Sequence, residues 1–251
     1  VSARITPLRL EAFDQLPKHA RRCTFWEVDP ATLGNEDHLA DPEFEKEAWL
    51  SMVMLEWGSC GQVAMAAPSD SGEGEPTCLG YAFYAPPRAV PRAHRFPTAP
   101  VSADAVLLTA VRVEPGPAAD ELPYSLVARV VDELVRRGVR ALEAFGRTEN
   151  VVELLNPESV DPDLRPALEV LGDCSVEHCV ISADFLRDVG FVVVAPHRYF
   201  PRLRLELDKR LGWKAEVEAA LERLLETSSI QQPVGAGSAA GSATGSSATS
   251  H

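Results

Sequence analysis

Between residues 105 and 146 the spacing of apolar positions changes period twice. Ala105–Pro115 (AVLLTAVRVEP) is a near-continuous apolar run rich in β-branched residues, which predicts a buried strand. Pro123–Val139 then places Val127, Val130, Val131 and Leu134 at i, i+3, i+4 and i+7, the stripe of a helix lying on a sheet. Arg140–Gly146 (RALEAFG) returns to strand character. A strand that leads into a helix N-terminus makes a natural anion site, because the first backbone N–H groups have no internal partner. The connecting residues here are GPAADEL, with two acids and no run of glycines.

The same reading extends in both directions. Ile5–Phe13 reads as an edge strand and Asp14–Glu27 as a short helix. Pro42–Trp57 predicts a longer helix, with Asp41 as N-cap, Pro42 in the first turn and Gly58 as its stop. Its two apolar stripes (Phe44, Ala48, Met52, Leu55 and Trp49, Val53, Trp57) predict a helix buried on two faces. Gly61–Ala67 and Cys78–Ala85 read as strands joined by the turn-rich PSDSGEGEPT. Pro86–Pro100, with five prolines and three arginines, reads as a stiff surface connection. The competing reading is a basic flap in which Arg88, Arg92 and Arg95 face a phosphate-bearing ligand. Beyond Gly146, an acidic, turn-rich segment reads as a loop with a short helix. Ser182–Val189 predicts a short helix between Ser182 as N-cap and Gly190 as stop, followed by strands at Phe191–Ala195 and Pro201–Leu207. Trp213, Val217, Ala220, Leu221 and Leu224 mark a last amphipathic helix. Ser228–His251, rich in Gly, Ala, Ser and Thr, reads as a disordered tail.

Charge narrows the function classes. A formal net charge of −13 argues against nucleic-acid binding, which needs a basic surface to displace counterions, and suits cationic or amine-bearing substrates. No apolar stretch reaches the roughly 20 residues of a membrane span, and VSARITPLRLEAF lacks the apolar core of a secretory signal. Five scattered cysteines suggest a reduced, cytoplasmic protein. Cys174, His178 and Cys179 are adjacent but poorly spaced for a tetrahedral centre, so no metal is expected.

Three local features carry a resemblance. LLTAVRVEP (Leu107–Pro115), LVRRGVRALEAFG (Leu134–Gly146) and ADFLRDVGF (Ala183–Phe191) occur in the order and spacing of a cofactor strand, a helix-to-strand passage and a late A-x-x-x-Y-x-x-x-G-F element. Together they resemble the GNAT superfamily of acetyl-CoA-dependent N-acetyltransferases over roughly residues 5 to 225. The resemblance implies an α/β (α+β) fold, with a mixed, mostly antiparallel twisted sheet of about six to seven strands flanked by helices. It implies a single domain over residues 1–227. It also implies transfer of an acetyl group from acetyl-CoA to an amine of a small molecule or protein, with a homodimer as a candidate assembly. Val111, Arg112, Val113, Tyr124 and Ser125 would then contact acetyl-CoA, the strand residues through their backbone. Glu114 is the candidate base, and Tyr124 is a candidate hydroxyl donor at the helix start; His197 is a further candidate. Two departures stand beside these expectations. The family's R/Q-x-x-G-x-G/A loop falls on Ala118–Pro123, where Ala118, Glu121 and Pro123 replace the basic or amide residue and two glycines, and Asp120 adds a further acid. Leu186 stands where many members have a tyrosine, with Cys179 and Ser182 nearby. The alternative is therefore a degenerate GNAT-fold binding or regulatory module with weak or no acetyl-CoA binding.

Overall fold

A computed structural model describes residues 3–29, 41–66, 77–116, 119–155 and 176–207. All of them belong to one compact unit, Val1–Leu211. The expected helix at Trp213–Leu224 and tail at Ser228–His251 lie outside the described residues, as does the loop between the second and third strands.

The chain opens with strand β1 (Ala3–Pro7), then a 3-10 turn at Leu10–Gln15 and helix α1 (Lys18–Arg22). The first strand is thus shorter than expected, and the helix expected over Asp14–Glu27 shrinks to five residues. Pro17 sets the start of α1, and the Cys23 N–H closes its last turn on the His19 carbonyl. Helix α2 (Pro42–Glu56) begins where expected: the Asp41 carboxylate accepts from the N–H groups of Glu43 and Phe44, both at 3.1 Å. Only one of its two stripes is buried. Trp49, Leu50 and Val53 pack inward, whereas Phe44 is 63 % and Leu55 88 % exposed, a correction to the two-faced burial expected.

Strands β2 (Gly61–Ala66), β3 (Cys78–Ala85) and β4 (Ala105–Val113) follow in antiparallel order. Helix α3 (Leu122–Arg136) then carries the chain over to β5 (Ala141–Arg147), which runs parallel to β4, as a helical crossover permits. After a 3-10 segment at Glu149–Leu155, the described chain resumes with α4 (Val176–Cys179), β6 (Ile181–Ser182), α5 (Ala183–Val189), β7 (Val192–Ala195) and β8 (Arg202–Glu206). Gly190, at φ 109°, ends α5 in the left-handed conformation expected of a glycine stop. Ser182 occupies the N-cap position, but its side chain makes no cap hydrogen bond.

The sheet has eight strands, one more than the upper expectation, in the order β1-β2-β3-β4-β5-β8-β7, with β6 paired to β5 off this path. The extra strand is the two-residue β6, too short to leave a period in the sequence. Two apolar layers cover the sheet. On one face α3 buries Leu126, Val127, Val130, Val131 and Leu134 against Tyr84, Leu108 and Leu142. On the other, Trp49, Leu50 and Val53 of α2 join Trp26, Phe83, Phe145 and Phe200. Val90, Ala93 and Phe96 belong to this second layer, and Phe96 stacks on Phe145 at 4.4 Å between centroids. The proline-rich segment is therefore core, not a surface connection: its prolines hold it in two short 3-10 turns that aim apolar side chains inward.

Beneath the β4–β5 contact lies Glu143, with no exposure. Its carboxylate accepts from the Ser102 N–H at 3.2 Å and pairs with Arg202 and, at 3.2 Å, with Arg204 of β8. Gly146 is as tightly held, since a Cβ there would sit 2.9 Å from Ala183 Cα and 2.8 Å from Leu203 Cδ1. Two outcomes follow for urea denaturation. Glu143→Ala leaves the largely buried Arg202 without its carboxylate partner, while Arg204 keeps Asp104 and Glu206, and is expected to cost about 3–5 kcal/mol. Gly146→Ala overpacks the α5 contact and is expected to cost about 1–3 kcal/mol.

Candidate functional site

Strands β4 and β5 pair over only three positions, Ala105↔Ala141 to Leu107↔Glu143. Immediately beyond, β4 carries a bulge: Tyr84 and Phe83 of β3 face Leu108 and Ala110, leaving Thr109 as the extra residue. A bulge bends its strand and raises the local twist, and here it falls where β4 parts from β5. The buried Thr109 hydroxyl donates to the Phe83 carbonyl at 3.1 Å, which secures the bulge to β3. β5 meanwhile continues to Arg147 and takes β6 as its parallel neighbour. The two strands thus enclose a cleft of about 210 Å³. Thr109, Ala110, Val111 and Arg112 line it from β4; Arg147, Val180, Ile181 and Ser182 line it from the β5–β6 side. Pro123 of α3 and Phe185 of α5 also reach it, as do His178 and Cys179.

Four of these residues, Thr109, Ala110, His178 and Cys179, border a second cavity of about 20 Å³ together with His19, Cys23, Glu27, Lys46 and aromatic side chains. The Lys46 ammonium pairs with Glu27 Oε1 and donates to the Cys23 carbonyl at 3.1 Å; both charged side chains are almost wholly buried. Glu27 Oε2 is buried with no hydrogen-bond partner among the described residues, and so is Arg147 Nε. The His19 and His178 rings lie 5.7 Å apart.

Of the residues singled out in the sequence, Val111 and Arg112 line the cleft, and Val113 lies one step beyond, opposite Gly80. Tyr124 is 44 % exposed and leans its ring on Phe185 at 5.2 Å, at the cleft's edge; Ser125 is exposed, its N–H bonded to the Glu121 carbonyl. Glu114 lies elsewhere, in a wider concavity with Asp14, Lys18 and Thr77. Pro123, in the first turn of α3, brings no N–H to that terminus, and Glu121 sits at the N-cap without a side-chain cap bond. Ala118 is outside the described residues. Leu186 is fully buried. His197 accepts the Tyr199 and Phe200 N–H groups on Nδ1 and so organises the turn before β8. None of the three arginines of the proline-rich segment lines the cleft: Arg88 is exposed, Arg92 donates to the Phe25 carbonyl, and Arg95 pairs with Asp29. The cations that do line it are Arg112 and Arg147.

His19, Cys23, Glu27, Lys46 and Arg147 carry no weight in the sequence reading. One local signal was present, the i, i+4 spacing of His19 and Cys23, which sets two ligating side chains on one helical face. Cys179 is disulfide-bonded, which corrects the expectation of a fully reduced set; Cys23, Cys60 and Cys78 are free.

Burial pushes the His19 pKa below its ordinary 6.5, and the positive charges of Arg112, His178 and Lys46 push it the same way. Burial, followed by the Glu27 carboxylate, pushes the Cys23 thiol up. His19 is therefore a neutral imidazole at neutral pH. In acid, the unfolded chain takes up the proton first, so the stability held above pH 6.5 declines as pH falls through the folded-state value. An NMR titration of the His19 ring is expected to give a midpoint below 6.5, and His19→Gln to flatten the acid limb of the stability profile.

The described elements follow the order read from the sequence, with α4 and β6 added before α5, in a mixed, mostly antiparallel sheet flanked by helices. No protein-family model matches the chain, and no curated protein matches it in sequence. Solved structures similar to it include the PaiA N-acetyltransferase of Thermoplasma acidophilum in complex with coenzyme A, at 12 % identity and TM-score 0.44 over 82 % of this chain and 99 % of that one. An N-acetyltransferase of Staphylococcus aureus Mu50 gives 12 % identity and TM-score 0.42 over 82 % and 99 %. The ribosomal-protein-S18-alanine N-acetyltransferase of Escherichia coli gives 14 % and 0.39 over 82 % and 94 %. Likeness at this level transfers no residue role, substrate or activity. No described helix is long and apolar enough to cross a membrane.

Proposed function

We propose that this chain transfers an acetyl group from acetyl-CoA to an amine of a small molecule or protein. The observation that carries the reading is the cleft where β4 parts from β5. Beyond Leu107 the β5-facing edge of β4 has no β5 residue in its ladder. A strand edge of this kind hydrogen-bonds an extended, amide-bearing chain as a further strand would, and the pantetheine arm of acetyl-CoA is such a chain. Arg112 and Arg147 place positive charge on opposite walls for its phosphates, and the α3 N-terminus contributes the donors that Pro123 leaves, with Tyr124 and Ser125 beside them.

The reaction needs a neutral amine nitrogen to form a bond to the thioester carbonyl carbon while the carbon–sulfur bond breaks and the thiolate takes up a proton. Holding both reactants in one cleft supplies much of the rate, because a bimolecular encounter becomes effectively unimolecular. His19, neutral at pH 7, is suited to accept the ammonium proton directly or through one water. His19 borders the small cavity together with His178 and Thr109 of the β4 bulge.

A second reading, a binding or regulatory module that has lost turnover, is favoured by Glu121 and Pro123 at the helix start. Thermal unfolding and thiol release separate the two. A ligand at about 100 times its Kd stabilises the folded state by about 2.7 kcal/mol, so binding of acetyl-CoA is expected to raise the melting temperature. Under the transferase reading, CoA thiol also appears on addition of an accepting amine. A melting shift without thiol release across an amine panel selects the binding module; absence of both sinks the acetyl-transfer reading. Arg147→Ala is expected to weaken acetyl-CoA binding about 10-fold, the loss of one charge-assisted hydrogen bond.

A further inference from the structure

The small cavity beside the cleft gathers two sulfurs and a carboxylate that acetyl transfer does not use around His19. His19 and Cys23 come from α1 and its C-cap, and Cys179 from the end of α4; one ligating atom of each lies within 4.8 Å of the others. The two sulfurs are 3.7 Å apart. A tetrahedral zinc ion with zinc–sulfur bonds of about 2.3 Å holds its sulfurs roughly 3.8 Å apart. We propose that, once the Cys179 disulfide is reduced, His19, Cys23 and Cys179 bind a thiophilic divalent metal, with zinc as the natural occupant. The proposal does not rest on the acetyl-transfer reading, and a metal here occupies the His19 lone pair that the reading assigns to the amine proton.

Three further observations converge on the same point. The first is positional: Trp26 Nε1 donates to the Cys179 carbonyl at 3.0 Å, and Lys46 Nζ to the Cys23 carbonyl at 3.1 Å, so both cysteine backbones are anchored without help from the disulfide. The second is Glu27. Its side chain is 2 % exposed, it borders the same cavity of about 20 Å³, and its Oε2 has no hydrogen-bond partner among the described residues. That volume suits one water or one ion, and a carboxylate oxygen is an acceptable fourth zinc ligand. The third is charge. Two thiolates and the Glu27 carboxylate exceed the Lys46 ammonium by two negative charges, which a divalent ion neutralises; Arg112, acting on His19, and Arg92, acting on Cys23, are further cations felt there. A hydrogen bond between His19 and the His178 backbone fixes the ring, as an outer-shell partner of a ligating histidine does.

The disulfide makes the site redox-linked, because a disulfide sulfur is not a thiolate. A trialkylphosphine with water converts the disulfide to two thiols and itself to the phosphine oxide. The metal then displaces the protons of the Cys23 and Cys179 thiols, forming two metal–sulfur bonds, while the neutral His19 nitrogen contributes its lone pair. About two protons are released per metal bound. The same atoms at van der Waals distance, with no affinity for metal, are the competing account.

Cobalt(II) titration of the full chain decides between them. The phosphine-reduced protein is expected to take up one equivalent, with a sulfur-to-cobalt charge-transfer band in the near ultraviolet and proton release in a weakly buffered solution; the unreduced protein shows neither. Cys23→Ser and His19→Ala are each expected to weaken binding at least about 10-fold, while Cys78→Ala, outside the cluster, retains it. Circular dichroism confirms that each variant is folded. Absence of the band in reduced wild-type protein overturns the proposal, and so does a band that survives Cys23→Ser.

Discussion

Glu143 carries its charge where no water reaches it, at the last parallel pair between β4 and β5. Isolated burial of a carboxylate is costly, and the structure answers with two arginines from β8 and a backbone N–H from the segment entering β4. Arg202 also donates to the Thr98 carbonyl at 2.8 Å, and Arg204 pairs with Asp104 at 2.9 Å, so the entry to β4 is tied to β8 from several sides. Asp104 is held below the usual carboxylate range chiefly by its hydrogen bond to Arg204. β4, β5 and β8 are thereby locked together at one end, and divergence of β4 from β5 is confined to the other. The cleft depends on that arrangement.

From this fixed end the Thr109 bulge turns β4 toward β3, and β5 finds its further partner in β6. The walls are strands backed by a packed layer on each face, as a preorganised site requires. The buried Lys46–Glu27 pair extends the same order to the segment after α1, fastening it to α2 below the small cavity. Lys46 also lies 4.8 Å from the Phe83 ring centroid, a contact that offsets part of its desolvation. The site therefore joins an apolar, strand-lined cleft to a pocket in which burial sets the protonation of His19 and Cys23.

Much of the architecture was legible from spacing alone. The stripe Val127–Leu134 named both the helix and its buried face, the apolar run at Ala105–Val113 named the central strand, and Asp41, Gly58 and Gly190 marked helix ends that the backbone respects. The failures have identifiable causes. Phe44, Met52 and Leu55 have the same hydrophobicity as the buried residues of α2, and periodicity cannot say which of two apolar stripes meets the sheet. The prolines of 86–100 forbid a strand interior, but they do not keep Val90, Ala93 and Phe96 out of the core. Arg202 and Arg204 alternate with leucine as solvent-facing residues do, yet they turn to a buried carboxylate 59 and 61 residues earlier in the chain.

Local order in this protein follows from the sequence itself: strand and helix periods, caps and stops are short-range properties, set within a few residues by sterics and backbone hydrogen bonding. The cleft and its chemistry do not, because each depends on the meeting of distant residues. Thr109 becomes a bulge only against β3, Arg147 becomes a wall only when β6 forms, and His19 and Cys23 meet Cys179 across 156 residues of chain from Cys23. Burial sets the protonation of His19 and Cys23, and burial is a property of the packed tertiary structure.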